Sequence, residues 1–548
     1  MRLARRPALL LLACALNAGR PVPALAQRSG SPTTALTSLF TEWRAFQSPK
    51  RVDGVPDYSA AAMTAQQRAL PAMQKRLRAI DTTGWTIKQQ VDWHVVRAEM
   101  NGMDFDHRVL RPWANNAGFY VTVFNEQSDQ PAREGPFADG AVELWQYAFP
   151  LTPAAAAKMD SGVRAIPGLL AQAKKNLVGN GHDLWAYGAK VMKDQAKELE
   201  SLGARLGSTP GALAADVKRA QQASTEFAQW VEAESAKHTG SSGIGIANYD
   251  WYLAHVQLTP MTYASVTTLM ESELARANAA LAAAERANAK LPQQPVVASA
   301  AEHTKRFNEG VTAYMAWLKD RQILTVAPWM DGAMRARIGS FNAGPREFFT
   351  EVDYRDPVVM RTHGLHWIDL GTMVNAPNPD PIRRGPLLYN IFVSRTEGFA
   401  TGWEEIAMNE GLFEKSPRSR ELVYILLAER AARAMGDLLM QGKGYTVQQA
   451  SQVASDKTPR GWLSMKGNLV YFEQHLYLGQ PGYGTAYVTG KHQMDQLFAA
   501  RRAAQGAKFT MKQTMDEIMA AGLVPASLLR WELSGSLPDD VKQMLVAP

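Results

Sequence analysis

The sequence predicts a mainly α-helical protein with little or no β-sheet. Apolar residues recur at three- and four-residue spacing along nearly the whole chain, and strand-like alternation is scarce. Helix-start and helix-stop signals bracket the informative stretches, which is the third support.

The pattern opens with Leu36, Leu39, Phe40 and Trp43 and continues through Met73, Leu77, Ile80, Val91, Val95, Val96 and Met100. Phe119 to Phe124 is the best strand candidate, and it is short. Residues 125–140 are polar and rich in Gly and Pro, so a loop is expected there. Helices are expected over 154–173, 190–206 and 212–237, the last stopped by Thr239-Gly240-Ser241-Ser242-Gly243. Beyond Pro260 an Ala/Glu/Arg-rich helix runs through Lys290. Its low complexity reflects good helix formers rather than a repeat. After a break at 291–295, helix resumes over 300–318.

In the last third, Asp356 reads as an N-cap and Pro357 as the first helical residue, opening a helix through His363, His366 and Asp369 toward Met373. Four prolines make 375–386 a linker. The next helix, from Leu387 to about Glu410, places Glu397 and Glu404 two turns apart on one face. A further helix from Arg418 to Met440 ends at Gly442-Lys443-Gly444, and Thr446 restarts helix. No fixed-period repeat divides the chain. One all-helical domain is expected over 27–548, with the candidate site in 356–495.

The first 26 residues differ in kind. Arg2, Arg5 and Arg6 precede an apolar run, and Ala24-Leu25-Ala26 offers a small-residue cleavage site, the layout of a secretory signal peptide. An alternative processing is open, because Leu11-Leu12-Ala13-Cys14 loosely resembles a lipoprotein box that would leave Cys14 lipidated. Either way the protein is expected to be exported, to the periplasm or beyond, with no transmembrane segment in the mature chain. Cys14 is the one cysteine of the 548 residues, so a chain cut after Ala26 has no disulfide and no thiolate ligand. The leader holds four arginines and no acid, and its removal lowers the formal charge from +7 to +3. The basic balance is therefore partly a targeting feature, and nucleic acid is not an expected partner.

Chemistry concentrates in Arg361-Thr362-His363-Gly364-Leu365-His366-Trp367-Ile368-Asp369 and in Arg395-Thr396-Glu397-Gly398-Phe399-Ala400-Thr401-Gly402-Trp403-Glu404-Glu405. Residues three apart share a helix face, so His363 and His366 can hold one metal ion, with Glu397 as third ligand. Zinc suits that donor set. Asp369 or Glu404 would orient a histidine or serve as a substitute base. The competing structural readings are packed, hydrogen-bonded histidines beside Trp367 and an ion pair between Glu397 and Arg361 or Arg395. His475 and His492 read as surface residues, either of which could replace a lost ligand. The strong zinc-peptidase signature places Glu after its first His; here that position is Gly364.

From roughly Trp85 onward the order of segments resembles the bacterial family called domain of unknown function 885. Glu397-Gly398-Phe399-Ala400 with Glu404 and Gly411-Leu412-Phe413 is similar to its Glu-Gly-Trp-Ala helix. Lys443-Gly444-Tyr445-Thr446 is similar to its Lys-Gly-Trp-Thr turn, and Gln480-Pro481-Gly482 with Ala486-Tyr487 and Gly490 to its Pro-Gly-Gln-x-x-x-Tyr segment. The family's His-Glu-x-x-Pro-Gly-His-His run can correspond only to Thr362 to Asp369, which lacks the Glu. A histidine the family tends to carry before the Lys-Gly turn is Gln441 here. The resemblance implies a large, exported, multi-helix fold of zinc-peptidase type with a single cleft, and Tyr487 facing the site to steady an oxyanion. The implied function is metal-dependent hydrolysis of small peptides or amide conjugates. The alternative is a catalytically inactive member that binds a peptide-like ligand in the same cleft.

Overall fold

The computed structural model describes residues 32–132, 135–207 and 212–546. The expected leader, its cleavage site and Cys14 lie outside the described residues.

Helices dominate, as their apolar periodicity requires, and the described strands are two-residue pairs: Arg51–Val52 antiparallel to Val55–Pro56, and Val123–Phe124 parallel to Val142–Glu143. The strand expected from Phe119 is thus mostly absent. Ala117–Tyr120 forms a 3-10 turn, whose buried Phe119 and Tyr120 pack on helices Pro153–Asn176 and His182–Leu206. Those two helices and Ala212–Ser235 build one apolar core. A second core gathers on the long helix Pro417–Lys443, which lies along Tyr263–Ala287. The third joins the first helices of the chain to its C-terminal ones.

Local capping chemistry sets the helix starts. Thr86 and Gln89 form a capping box at Ile87–Phe105, and Thr446 with Gln449 does the same at Val447–Lys457. The Asp356 carboxylate accepts from the Val358 amide at 2.9 Å and starts Pro357–His363, as the sequence predicts.

That helix does not continue through Asp369. It ends at Gly364, and a new helix, Leu365–Asn375, begins there. A Cβ at Gly364 would stand 2.8 Å from the Trp367 ring and 3.0 Å from the Arg361 carbonyl oxygen, so the tight turn excludes a side chain. The helix expected from Leu387 is also broken. Leu388–Asn390 is a 3-10 turn with Tyr389 and Asn390 both left-handed (φ 57° and 50°), and Val393–Asn409 follows. Tyr389 lies against Gly102, where a Cβ would meet its ring at 2.4 Å.

Val393–Asn409 is buried on nearly every face although it carries Ser394, Arg395, Thr396, Glu397, Thr401 and Glu404, so its buried polar groups must find partners on the neighbouring helices. It packs against Pro357–His363 on one side and Tyr483–Gln505 on another. The second of these contacts is backbone to backbone, at Gly398 and Gly490. This helix carries both Glu397 and Glu404, and its neighbours bring the remaining polar groups to them.

Candidate metal centre

His363 ends one helix, His366 lies in the first turn of the next, and Glu397 comes from the buried helix beside them. Their ligating atoms converge. His363 Nε2 and His366 Nε2 are 3.1 Å apart, and Glu397 Oε2 lies 3.2 Å from His366 Nε2 and 3.5 Å from His363 Nε2. Ligands about 2.1 Å from a tetrahedral metal stand about 3.4 Å from one another, so this triangle has the size of three zinc ligands with the fourth position open. His366 and Glu397 are buried, and His363 keeps 16% of its side chain exposed.

The surrounding bonds orient each group. His363 Nδ1 lies 2.9 Å from Glu404 Oε1 and 3.1 Å from Arg430 Nη2. Glu404 can only accept and Arg430 only donate, so the two compete for Nδ1; a proton on Nδ1, given to the nearer Glu404, is the tautomer that leaves the Nε2 lone pair facing the triangle. Arg430 in turn clamps both oxygens of Glu404 at 2.7 Å. This is the carboxylate–histidine arrangement that steadies metal-binding imidazoles. Glu397 Oε1 accepts from Tyr483 Oη and Gln130 Nε2, each at 2.9 Å. Its other oxygen, fully buried, faces only the two imidazoles, with His366 Nε2 at 3.2 Å and His363 Nε2 at 3.5 Å.

His366 shows what a metal must displace. Gln130 Nε2 lies 3.2 Å from His366 Nδ1, so in the metal-free network the ring proton sits on Nε2, toward His363. To serve as a ligand through Nε2, His366 would carry its proton on Nδ1, and the Gln130 amide would turn to accept it and give up its bond to Glu397. Burial disfavours a charged His366, but the Glu397 charge and hydrogen bond outweigh it and push the ring pKa up to about 9. Burial likewise works against the Glu397 charge, and the two imidazoles overcome it and hold the carboxyl well below the usual range. The donor set, its spacing and a buried carboxylate oxygen that faces only the two imidazoles fit a divalent metal. A proton on His366 is the competitor.

The other expected residues separate cleanly. Asp369 is not on a histidine. Both its oxygens lie 3.2 Å from Arg395, and this buried pair reaches His366 only through charge. Glu404 takes the orienting role instead, and its oxygens are fully engaged. Arg361 binds Asp353 at 2.9 Å, so neither Arg361 nor Arg395 partners Glu397. Tyr487 stands near the site. Its pKa is well above the usual value, raised by burial and then by the Glu397 charge, so its hydroxyl stays protonated. His475 is half-buried, stacked on Tyr187 and bonded to the Tyr471 carbonyl, and His492 pairs with Gln496, so neither substitutes as a ligand. Gln441 ties the carbonyls of Tyr477 and Leu478, a structural task.

Several participants escaped the sequence reading. Gln130 arrives from the 125–140 loop and offers no periodic signal. Tyr483 sits one turn before Tyr487. Arg430, Glu429 and Arg433 did carry a signal, since Ala428-Glu429-Arg430-Ala431-Ala432-Arg433 puts charges inside an apolar helix, where they must find partners. Arg433 pairs with Glu473, and its guanidinium lies over the Tyr487 ring. Glu429 is wholly buried, and neither of its oxygens accepts a hydrogen bond.

Comparison with known proteins places this geometry in a family. Residues 42–385 and 366–533 match the model described as bacterial protein of unknown function (DUF885). The fold is similar to a candidate lipoprotein of unknown function from Shewanella oneidensis (TM-score 0.67) and to one from Colwellia psychrerythraea (TM-score 0.62). Each is 15% identical, and each alignment covers 92% of this chain and 99% of the other. No curated protein matches. The matched segments span most of the chain, and it belongs to the bacterial family of unknown function DUF885.

Proposed function

We propose that this protein is an exported, metal-dependent hydrolase of peptide or amide bonds. The observation that carries the reading is the triangle of His363 Nε2, His366 Nε2 and Glu397 Oε2, with edges of 3.1 to 3.5 Å. A divalent ion such as zinc, held there, would polarise a carbonyl and lower the pKa of water. The chain's own residues do the rest. Glu404, held in place by Arg430, would take the His363 Nδ1 proton, and Tyr483 holds Glu397 so that one oxygen faces the histidines. Tyr487 keeps its proton and can donate it as a hydrogen bond to a developing oxyanion.

The proton acceptor cannot stand at Gly364, where the backbone turn has no room for a side chain. Asp369 and Glu404 are both spent on arginines. Glu429 also faces an arginine, Arg433 Nε at 3.5 Å, but neither of its oxygens accepts a hydrogen bond, and it lies close enough to Glu404 and His363 to feel their charges. We assign it the acceptor role. The Gly364 turn also favours a second reading, a metal-bearing member that binds a peptide-like ligand without cleaving it.

One comparison separates the two. Wild-type and Glu429→Gln protein are assayed for metal content and for cleavage of a mixed peptide library. Cleavage by wild type, lost in the variant at unchanged metal content, supports the hydrolase. A metal-loaded wild type that cleaves nothing supports the binding protein. For location, the structure adds that no described helix is long and apolar enough to cross a membrane. Lipidation at Cys14 and cleavage after Ala26 stand level, and the mass of the mature N-terminal peptide decides between them.

A further inference from the structure

A cavity of about 310 Å³ lies apart from the three ligands, between the first helices and the turn at 386–390. Its walls include Trp113, Phe119, Tyr252 and Tyr389. A single acidic group, Asp106, lines it. This residue opens a π-helical turn, Asp106–Leu110, that prolongs Ile87–Phe105, and such turns recur at functional sites. Across the cavity the left-handed pair Tyr389 and Asn390 is a second local distortion.

The neighbouring Arg108 pairs with Asp104 at 2.7 Å, and no hydrogen bond or ion pair to the Asp106 carboxyl is seen among the described residues, where burial alone shifts it. The cations nearby are not free to serve it. Arg44 is held by Glu99, through Nε at 3.0 Å and Nη2 at 2.6 Å, and by the Pro386 carbonyl. His107 bonds Gln66, and burial holds its pKa down to about 4, so it is neutral. The cavity is therefore an aromatic box with one carboxyl group that no cation of the chain neutralises; burial raises its pKa to about 8, so it carries a free charge above that pH or when a cation enters. An inorganic divalent cation would need many more oxygen donors than this. An organic ammonium needs what is present, a carboxylate for its N–H groups and ring faces for its charge and its apolar body.

We infer that this cavity is a binding site for a small organic ammonium ion with an apolar or aromatic body, recognised by Asp106. The inference stands independently of the metal reading, so the test uses the full mature chain both with metal and after chelation. The probes are benzylamine and its uncharged counterpart benzyl alcohol, titrated calorimetrically at about pH 8.5, where Asp106 is mostly ionised and the amine mostly protonated. Benzylamine is expected to bind one site with or without metal, with benzyl alcohol at least about tenfold weaker, as loss of a charge-assisted bond implies. Asp106→Asn, which keeps the side-chain volume, should weaken benzylamine by a similar factor with the circular dichroism spectrum unchanged. Equal binding of the two probes, unchanged binding in Asp106→Asn, or no saturable benzylamine binding overturns the inference. The comparison of probes needs no variant, so it holds even if the substituted protein fails to fold.

Discussion

Gly398 and Gly490 meet where helices Val393–Asn409 and Tyr483–Gln505 cross, and a Cβ on Gly398 would stand 2.3 Å from the Gly490 Cα. The contact lies one residue from Glu397, and it is what lets Tyr483 reach that carboxylate at 2.9 Å. The first prediction follows from it. Gly490→Ala would force its methyl into the Ser394 carbonyl, 2.1 Å away, and must push the helices apart. We expect about 3 kcal/mol of destabilisation or more, together with weakened metal binding, measured by denaturant unfolding and metal titration.

Glu404 acts through His363 rather than on a metal. Glu404→Gln should therefore leave the site able to bind but lower metal affinity by about 10- to 100-fold. Competition with a chromogenic chelator reads this directly. An unchanged affinity would mean that the Arg430–Glu404–His363 chain is only structural.

Asp369 and Arg395 form a buried pair. Asp369→Asn leaves the Arg395 charge uncompensated and should cost about 3–5 kcal/mol of stability. Metal stoichiometry should stay the same in whatever protein remains folded. Loss of metal without loss of stability would return Asp369 to the metal centre.

Asp106 gives a pH signature. Burial pushes its pKa up to about 8, against an ordinary carboxylate value near 4 in the unfolded chain. The folded state thus favours the protonated form. That contribution is complete below about pH 4 and is lost as pH rises through 8. The groups around it are neutral tyrosines, neutral His107 and the closed Arg44–Glu99 pair, so none reverses the sign. Asp106→Asn should match wild type in melting temperature below about pH 4 and exceed it by ~2 °C at pH 9, taking roughly 1 kcal/mol after solvent screening. A difference that shrinks with rising pH would contradict this.

The helical class was legible because periodicity and capping are local properties. Asp356 and Thr446 act as the caps their types suggest. The grouping of His363, His366 and Glu397 was legible too, since histidines three apart and a carboxylate in a largely buried helix must find partners. The break at Gly364 was not, because it depends on the Trp367 ring folding back over the turn. Asp369 was misplaced for the same reason. A continuous helix would have put it on the histidine face, whereas the broken one turns it to Arg395. Gln130 and the cavity around Asp106 were invisible because they arise from contacts between segments far apart in sequence.

The account turns on whether three side chains hold one metal ion. The direct measurement is elemental analysis of protein purified from the periplasmic fraction, wild type beside Glu397→Gln, each also unfolded by heat with and without chelator. The account predicts about one equivalent of a divalent metal in wild type and none in the variant, with chelation lowering the wild-type melting temperature alone. Metal-free wild type, or equal metal in both proteins, would contradict it.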